Sequence, residues 1–110
     1  MRKLFVSRNI YNAIMKYIKF TFDKHKAEIN FAKHGVSFIE AKSVFADEFA
    51  RVIFDEEHSE YEERFIILGM SARARILIVV HCYREKDETI RIISARKATA
   101  REIKQYEELR

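Results

Sequence analysis

Three apolar, β-branched runs, Arg64–Met70, Arg75–Arg84 and Thr89–Ala95, follow one another with four residues in each gap. The gaps Ser71–Ala74 and Glu85–Glu88 suit hairpin turns and are too short for a crossover. The three runs therefore form an antiparallel meander, and the rest of the chain must pack around it. There is no proline and there are only two glycines, Gly35 and Gly69, which leaves little room for long irregular loops.

The remaining elements follow from their punctuation. Lys19–Phe22 alternates polar and aromatic residues, as a first strand does. Asp23 is placed to cap a helix over residues 24–34, with Ala27, Phe31 and His34 on its inner face and Gly35 ending it. Ser37 and Glu40 have capping-box spacing and open a helix of roughly 38–46, with Phe38, Ala41 and Phe45 inward. Ala50–Phe54 is another strand, and the acidic stretch Asp55–Glu63 is a connection. Thr99 and Glu102 form a second capping box, which starts a final helix over 99–108. The predicted order is β-α-α-β-β-β-β-α. This is an α+β domain: a mostly antiparallel sheet of about five strands with helices packed on one face. Residues 1–14 lie outside this rhythm and read as an N-terminal extension; residues 15–110 read as the domain.

Charge is segregated along the chain. The net charge is +4, but Arg2, Lys3 and Arg8 supply most of it. Asp55–Glu63 holds six acids and no Lys or Arg, whereas Arg64–Arg101 holds nine bases against three acids. Opposed regions of this kind either steer a polyanion to one face or pair with each other within the chain. The single cysteine, Cys82, sits in the apolar run Ile76–Cys82 and reads as a buried structural thiol in a reducing compartment. No apolar run is long enough to span a membrane, and Arg8 and Asn9 interrupt the only leader-like segment, so the expected location is cytoplasmic.

Guanidinium groups suit phosphate because their planar fork donates two parallel, charge-assisted hydrogen bonds. Arg91, Arg96 and Arg101 punctuate the last strand-to-helix junction. Simple turn geometry pairs Met70 with Arg75 and Arg84 with Thr89. That register sets Arg64 opposite His81 and Ser94 near Val79, so one face carries Arg64, Arg75, His81, Tyr83 and Ser94, with Arg96 at its margin. Such a face is a phosphate-binding and RNA-cleaving cleft in outline. Arginines neutralise the phosphorane, and a His or Tyr moves the proton. His81 is the expected acid–base group, with His58 in the acidic connection as a second. The expected catalytic set is thus Arg64, Arg96, His81 and His58; Lys33, Arg75, Arg84, Arg91 and Ser94 are expected to bind substrate. No His, Cys or acid spacing completes a metal shell, and there is no phosphate-cradling glycine loop or dinucleotide fingerprint, so neither metal nor cofactor is expected.

Three segments, Phe20–Phe38, Asp55–Phe65 and Arg91–Arg96, together resemble the BrnT toxins, within the wider RelE/ParE-like group of type II toxin–antitoxin systems. The resemblance covers about residues 15–108. Its matching positions include Lys33, His34, Gly35, His58, Glu63, Arg64, Arg91, Ser94 and Arg96. It implies a small ribonuclease that inhibits translation and is neutralised by a BrnA-like antitoxin. That antitoxin carries a ribbon-helix-helix segment, so operator DNA is reached only through it. The expected assembly is a homodimer or a toxin–antitoxin heterotetramer. Two alternatives stay open: a ParE-like topoisomerase inhibitor that cuts nothing, and an inactive antitoxin-binding co-repressor. The antitoxin is expected to cover the basic sheet face and the apolar side of the last helix, at Ile103, Tyr106 and Leu109.

Overall fold

Six strands form one sheet in the order β1-β3-β4-β5-β6-β2. In the computed structural model, residues 2–3, 18–60, 62–84 and 88–108 are described, without the side chains of Arg2, Lys3 and His58. The strands are β1 (Arg2–Lys3), β2 (Lys19–Thr21), β3 (Arg51–Phe54), β4 (Phe65–Met70), β5 (Ile76–Arg84) and β6 (Thr89–Lys97); the helices are α1 (Lys24–His34), α2 (Phe38–Ser43) and α3 (Ala100–Glu108). β2 runs parallel to β6; every other pairing is antiparallel. The five expected strands and the meander are all present. β1 adds a two-residue pairing to β3, and the rest of the expected extension lies outside the described residues.

The caps act as their residue types require. Asp23 accepts a hydrogen bond from the Lys26 amide, and Gly35 closes α1 at φ 68°, a left-handed conformation that only glycine adopts cheaply. Ser37 accepts from the Glu40 amide, but the Glu40 carboxylate turns inward to the Ser71 hydroxyl and Arg75. α2 is shorter than expected and continues as a 3₁₀ turn over Val44–Ala46. Thr99 and Glu102 bond reciprocally, as a capping box does.

The helices are not on one face. Val36, Phe38, Ala41, Val44 and Phe45 pack with Ile67, Leu77, Val79, Ile92 and Ala95 under α1 and α2. Leu68 and Ile78 pack with Tyr106 of α3 in a separate cluster on the opposite face. Arg51 fixes α3 there: it is fully buried and donates to the carbonyls of Gln105 and Tyr106. Asp47 adds a second tie, accepting from the Tyr106 hydroxyl at 2.6 Å and the Met70 amide at 2.7 Å.

On α1 the expected inner residue Phe31 is 54% exposed, and Asn30 is buried instead. β2 pairs only with residues 89–91, so among the described residues β6 beyond Arg91 has no neighbouring strand on that side. Asn30 supplies one: its amide donates to the Ala95 carbonyl and accepts from the Ala95 amide. A bare sheet edge has to be satisfied, and a side-chain amide copies a strand's donor–acceptor pair.

Candidate active site

Two departures from regular geometry decide which side chains meet. In the β4–β5 hairpin, Ala74 takes φ 59°, and Ser71 pairs with Arg75 through its amide. The loop is thus three residues with a left-handed last position, not two pairs closing on Met70 and Arg75. Met70 pairs with Ile76, and Phe65 rather than Arg64 lies opposite His81. In β6 an extra residue, Ile93, lies between the pairs His81–Ile92 and Val80–Ser94. This bulge moves Ser94 away from the His81 face.

The expected cluster therefore divides. His81 shares the α1–α2 face with Leu77 and Val79. Arg91, Ser94 and Arg96 pair with Cys82, Val80 and Ile78 on the α3 face. The Asp55 amide donates to the Arg64 carbonyl, which extends the β3–β4 register and puts Arg64 on that same face beside Cys82. Arg75 is elsewhere, bound to the buried carboxylate of Glu40 and to the Gly35 carbonyl. Lys33 and Ser94 do meet, in a shallow groove of about 220 Å³ that also contains Lys26 and His34. His58 lies in a 3₁₀ turn over Glu56–His58, and its side chain is outside the description.

A cavity of about 650 Å³ is lined by Glu62, Glu63, Phe65, Cys82, Tyr83 and Arg84. Arg84 Nη2 lies 2.8 Å from one oxygen of Glu62, and Arg64 Nε lies 3.8 Å from the other. Two guanidinium groups from neighbouring strands thus converge on one carboxylate. An anion of similar size and charge, such as a phosphodiester, satisfies the same donors. Arg91 makes no ion pair among the described residues and lies one strand beyond Cys82 on the same face.

His81 does not reach this cavity. It is fully buried among the rings of Phe45, Phe65 and Tyr83, and burial pulls its imidazole down to about 4, so it is neutral at pH 7. Nδ1 is 3.3 Å from the Val79 carbonyl, which can only accept, so the ring proton sits there. Nε2 is then the acceptor for the Tyr83 hydroxyl, also at 3.3 Å. Tyr83, 36% exposed and lining the cavity, is the polar group that this histidine orients. Arg96 is also engaged: its fork holds both oxygens of Glu102 at 2.8 and 3.0 Å. The pair pulls Glu102 down to about 2 and raises Arg96. On the strand grid, Arg96 and Arg64 are two strands and four residues apart, roughly 16 Å between Cα positions, too far to share one phosphate oxygen. The expected site lacked Glu62 and carried Tyr83 only as a member of the Arg64–His81 face; the acidic run that ends at Arg64 was the available signal for the carboxylate.

This is a small α+β domain in which a basic strand face adjoins an arginine–carboxylate–tyrosine cavity. Its fold is similar to the 1.1 Å crystal structure of the Brucella abortus ribonuclease toxin, BrnT, with TM-score 0.59 and 24% identity over 74% of this chain and 97% of that one. No curated protein matches the chain. A family model described as the ribonuclease toxin, BrnT, of type II toxin–antitoxin systems matches residues 22–102. The chain belongs to the BrnT family.

Proposed function

We propose that this chain is a metal-independent endoribonuclease that cuts RNA in the Glu62–Arg84 cavity, inhibits translation, and is neutralised by a BrnA-like antitoxin. The observation that carries the reading is the convergence of Arg64 and Arg84 on one carboxylate at a cavity that Tyr83 also lines. RNA supplies its own nucleophile. The 2′-oxygen attacks phosphorus, a 2′,3′-cyclic phosphate forms, and the 5′-oxygen leaves with a proton from solvent. The protein must hold the phosphate, neutralise the charge that builds on it, and accept the 2′-hydroxyl proton. Arg64 and Arg84 do the first two. Glu63, exposed in the same cavity, accepts the proton, and Tyr83 orients the ribose. His81 is a positioning residue for Tyr83. Arg91, Lys33 and Ser94 hold flanking nucleotides, and Arg96 fixes the start of α3.

The test is purified protein with RNA in EDTA. Cleavage should persist and leave 2′,3′-cyclic ends. Arg64→Ala and Arg84→Ala should each lower the single-turnover rate by about 10²–10³, the usual effect of losing one charge-stabilising donor. Cleavage lost in EDTA and restored by a divalent ion would refute metal independence. Inhibition of supercoiling with no RNA cleavage would refute the ribonuclease reading.

A further inference from the structure

Three of the most exposed large apolar side chains line one groove: Phe22, Phe31 and Ile39, at 39%, 54% and 70% exposure. It measures about 380 Å³ and runs between α1 and the start of α2, with Phe38 beneath it. Phe22 stacks edge-on against Phe38 with 5.5 Å between ring centroids, so the apolar surface is continuous with the core. Isolated exposed apolar residues are ordinary, but a contiguous set at the mouth of a groove marks an interaction surface.

Two further features say what kind of partner fits. Phe22 directly follows β2, and β2 ends the sheet: its outer edge meets no other strand among the described residues. An extended segment laid along β2 would run straight into the groove. Lys24 lines the groove together with Glu28; outside it, Lys19 is exposed on β2 and Lys42 lies over the Phe20 ring of β2 at 5.2 Å, so cations follow the β2 edge that leads into the groove. Of the nearby acids, Asp23 is turned to the α1 amides and Glu28 stands at the groove. The fitting ligand is an extended polypeptide with large apolar anchors and acidic residues between them.

We propose that this edge and groove are the docking site of the antitoxin, separate from the RNA-cleaving cavity. This rests on the chain being the toxin of a type II pair. It replaces the expectation that the antitoxin uses the apolar side of the last helix: Tyr106 is 1% exposed and packs on the toxin's own sheet, and Leu109 lies outside the described residues. The antitoxin is held by the helical layer, and any cover it gives the arginines comes from the remainder of its chain.

The test uses the full-length toxin and the purified product of the reading frame that adjoins its gene. Phe31→Glu and Ile39→Glu change exposed side chains and should leave the circular dichroism and the RNA cleavage rate of the free toxin unchanged. Binding by calorimetry should weaken by about 100-fold, as for loss of a central apolar anchor. Cleavage by the variants should then resist antitoxin at concentrations that silence the wild type. Unchanged affinity in both variants overturns the proposal, as does no binding to the wild type. It is also overturned if Ile39→Glu converts a toxin dimer to monomer while antitoxin affinity holds, since the groove is then a self-contact. Because binding is read without RNA, weakened binding in a toxin that cleaves nothing would leave the docking site standing and refute only the ribonuclease reading.

Discussion

Replacing Glu62 with glutamine should make this toxin bind RNA more tightly. The carboxylate lies 2.8 Å from Arg84 Nη2 and 3.8 Å from Arg64 Nε, in the place assigned to the substrate phosphate. Phosphate must displace it, and exposed ion pairs of this kind are each worth about 0.2–1 kcal/mol. Two pairs share one carboxylate, so their combined contribution is about 1 kcal/mol. Once displaced, the carboxylate remains close to the incoming anion. At roughly 6 Å in water, two unit negative charges repel by about 0.7 kcal/mol. Glu62→Gln keeps the shape and removes both penalties, a gain of about 1–2 kcal/mol or about 5–30-fold in Kd. Fluorescence anisotropy with a 2′-deoxy-substituted, uncleavable RNA at low salt measures it. The gain should shrink as salt screens the exposed charges. It should vanish in an Arg64→Ala/Arg84→Ala background, where no cations remain to be released. An unchanged or weakened affinity, or a gain that survives loss of both arginines, would refute the idea that Glu62 occupies the phosphate position.

Two other outcomes test the scaffold. His81 has its pKa depressed to about 4 in the folded chain, against about 6.5 unfolded, so the unfolded state binds the extra proton between those values. Its contribution is fully present above about pH 6.5 and lost as pH falls toward 4, about 3 kcal/mol in all; denaturant titrations should show a shallower acid decline in His81→Phe than in wild type, and equal slopes would contradict a buried neutral imidazole. Asn30→Ala removes the only described partner of the Ala95 edge groups and the 3.1 Å bond to the Val36 carbonyl. Stranding such buried groups costs about 3 kcal/mol, which in a chain of this size lowers Tm by about 13 °C; a shift of under 3 °C would show that solvent replaces the amide.

Local signals were legible in the sequence because their chemistry is local. Asp23, Gly35, Ser37 and the Thr99–Glu102 box act within three or four residues of themselves, and each bounds a helix where expected. The strands were visible from their apolar content. Which helix covers which face was not, because that depends on a buried arginine, Arg51, tying α3 to the sheet across more than fifty residues of sequence. Asn30 was hidden for a similar reason. A polar residue on an amphipathic helix reads as outward, and only the missing neighbour of β6 explains its burial. The site was half legible. The arginine-rich meander pointed to phosphate, but the hairpin register depends on Ala74 adopting a conformation usually left to glycine, which its identity does not announce.

The bulge in β6 shows how one residue rearranges a functional surface. Arg91 and Arg96 are five positions apart, and in a regular strand an odd separation puts two side chains on opposite faces. Here they pair with Cys82 and Ile78, four positions apart on β5, and therefore face the same way. Ile93 absorbs the difference. The same insertion places Ala95 on the α1 side, where Asn30 reaches its amide and carbonyl. Without the bulge, Ala95 and Arg96 would exchange faces. A guanidinium would then be driven into the core beneath α1, and Glu102 would lose the partner that holds the start of α3. Deleting Ile93 would instead restore a regular ladder: Arg91 and Arg96 would be four positions apart and keep Cys82 and Ile78 as partners, so the arginine row would survive while the strand loses its bend. Reading this segment without the bulge puts Ser94 near Val79 on the His81 face; with it, Ser94 joins Arg64 and Arg91 on the face proposed for RNA.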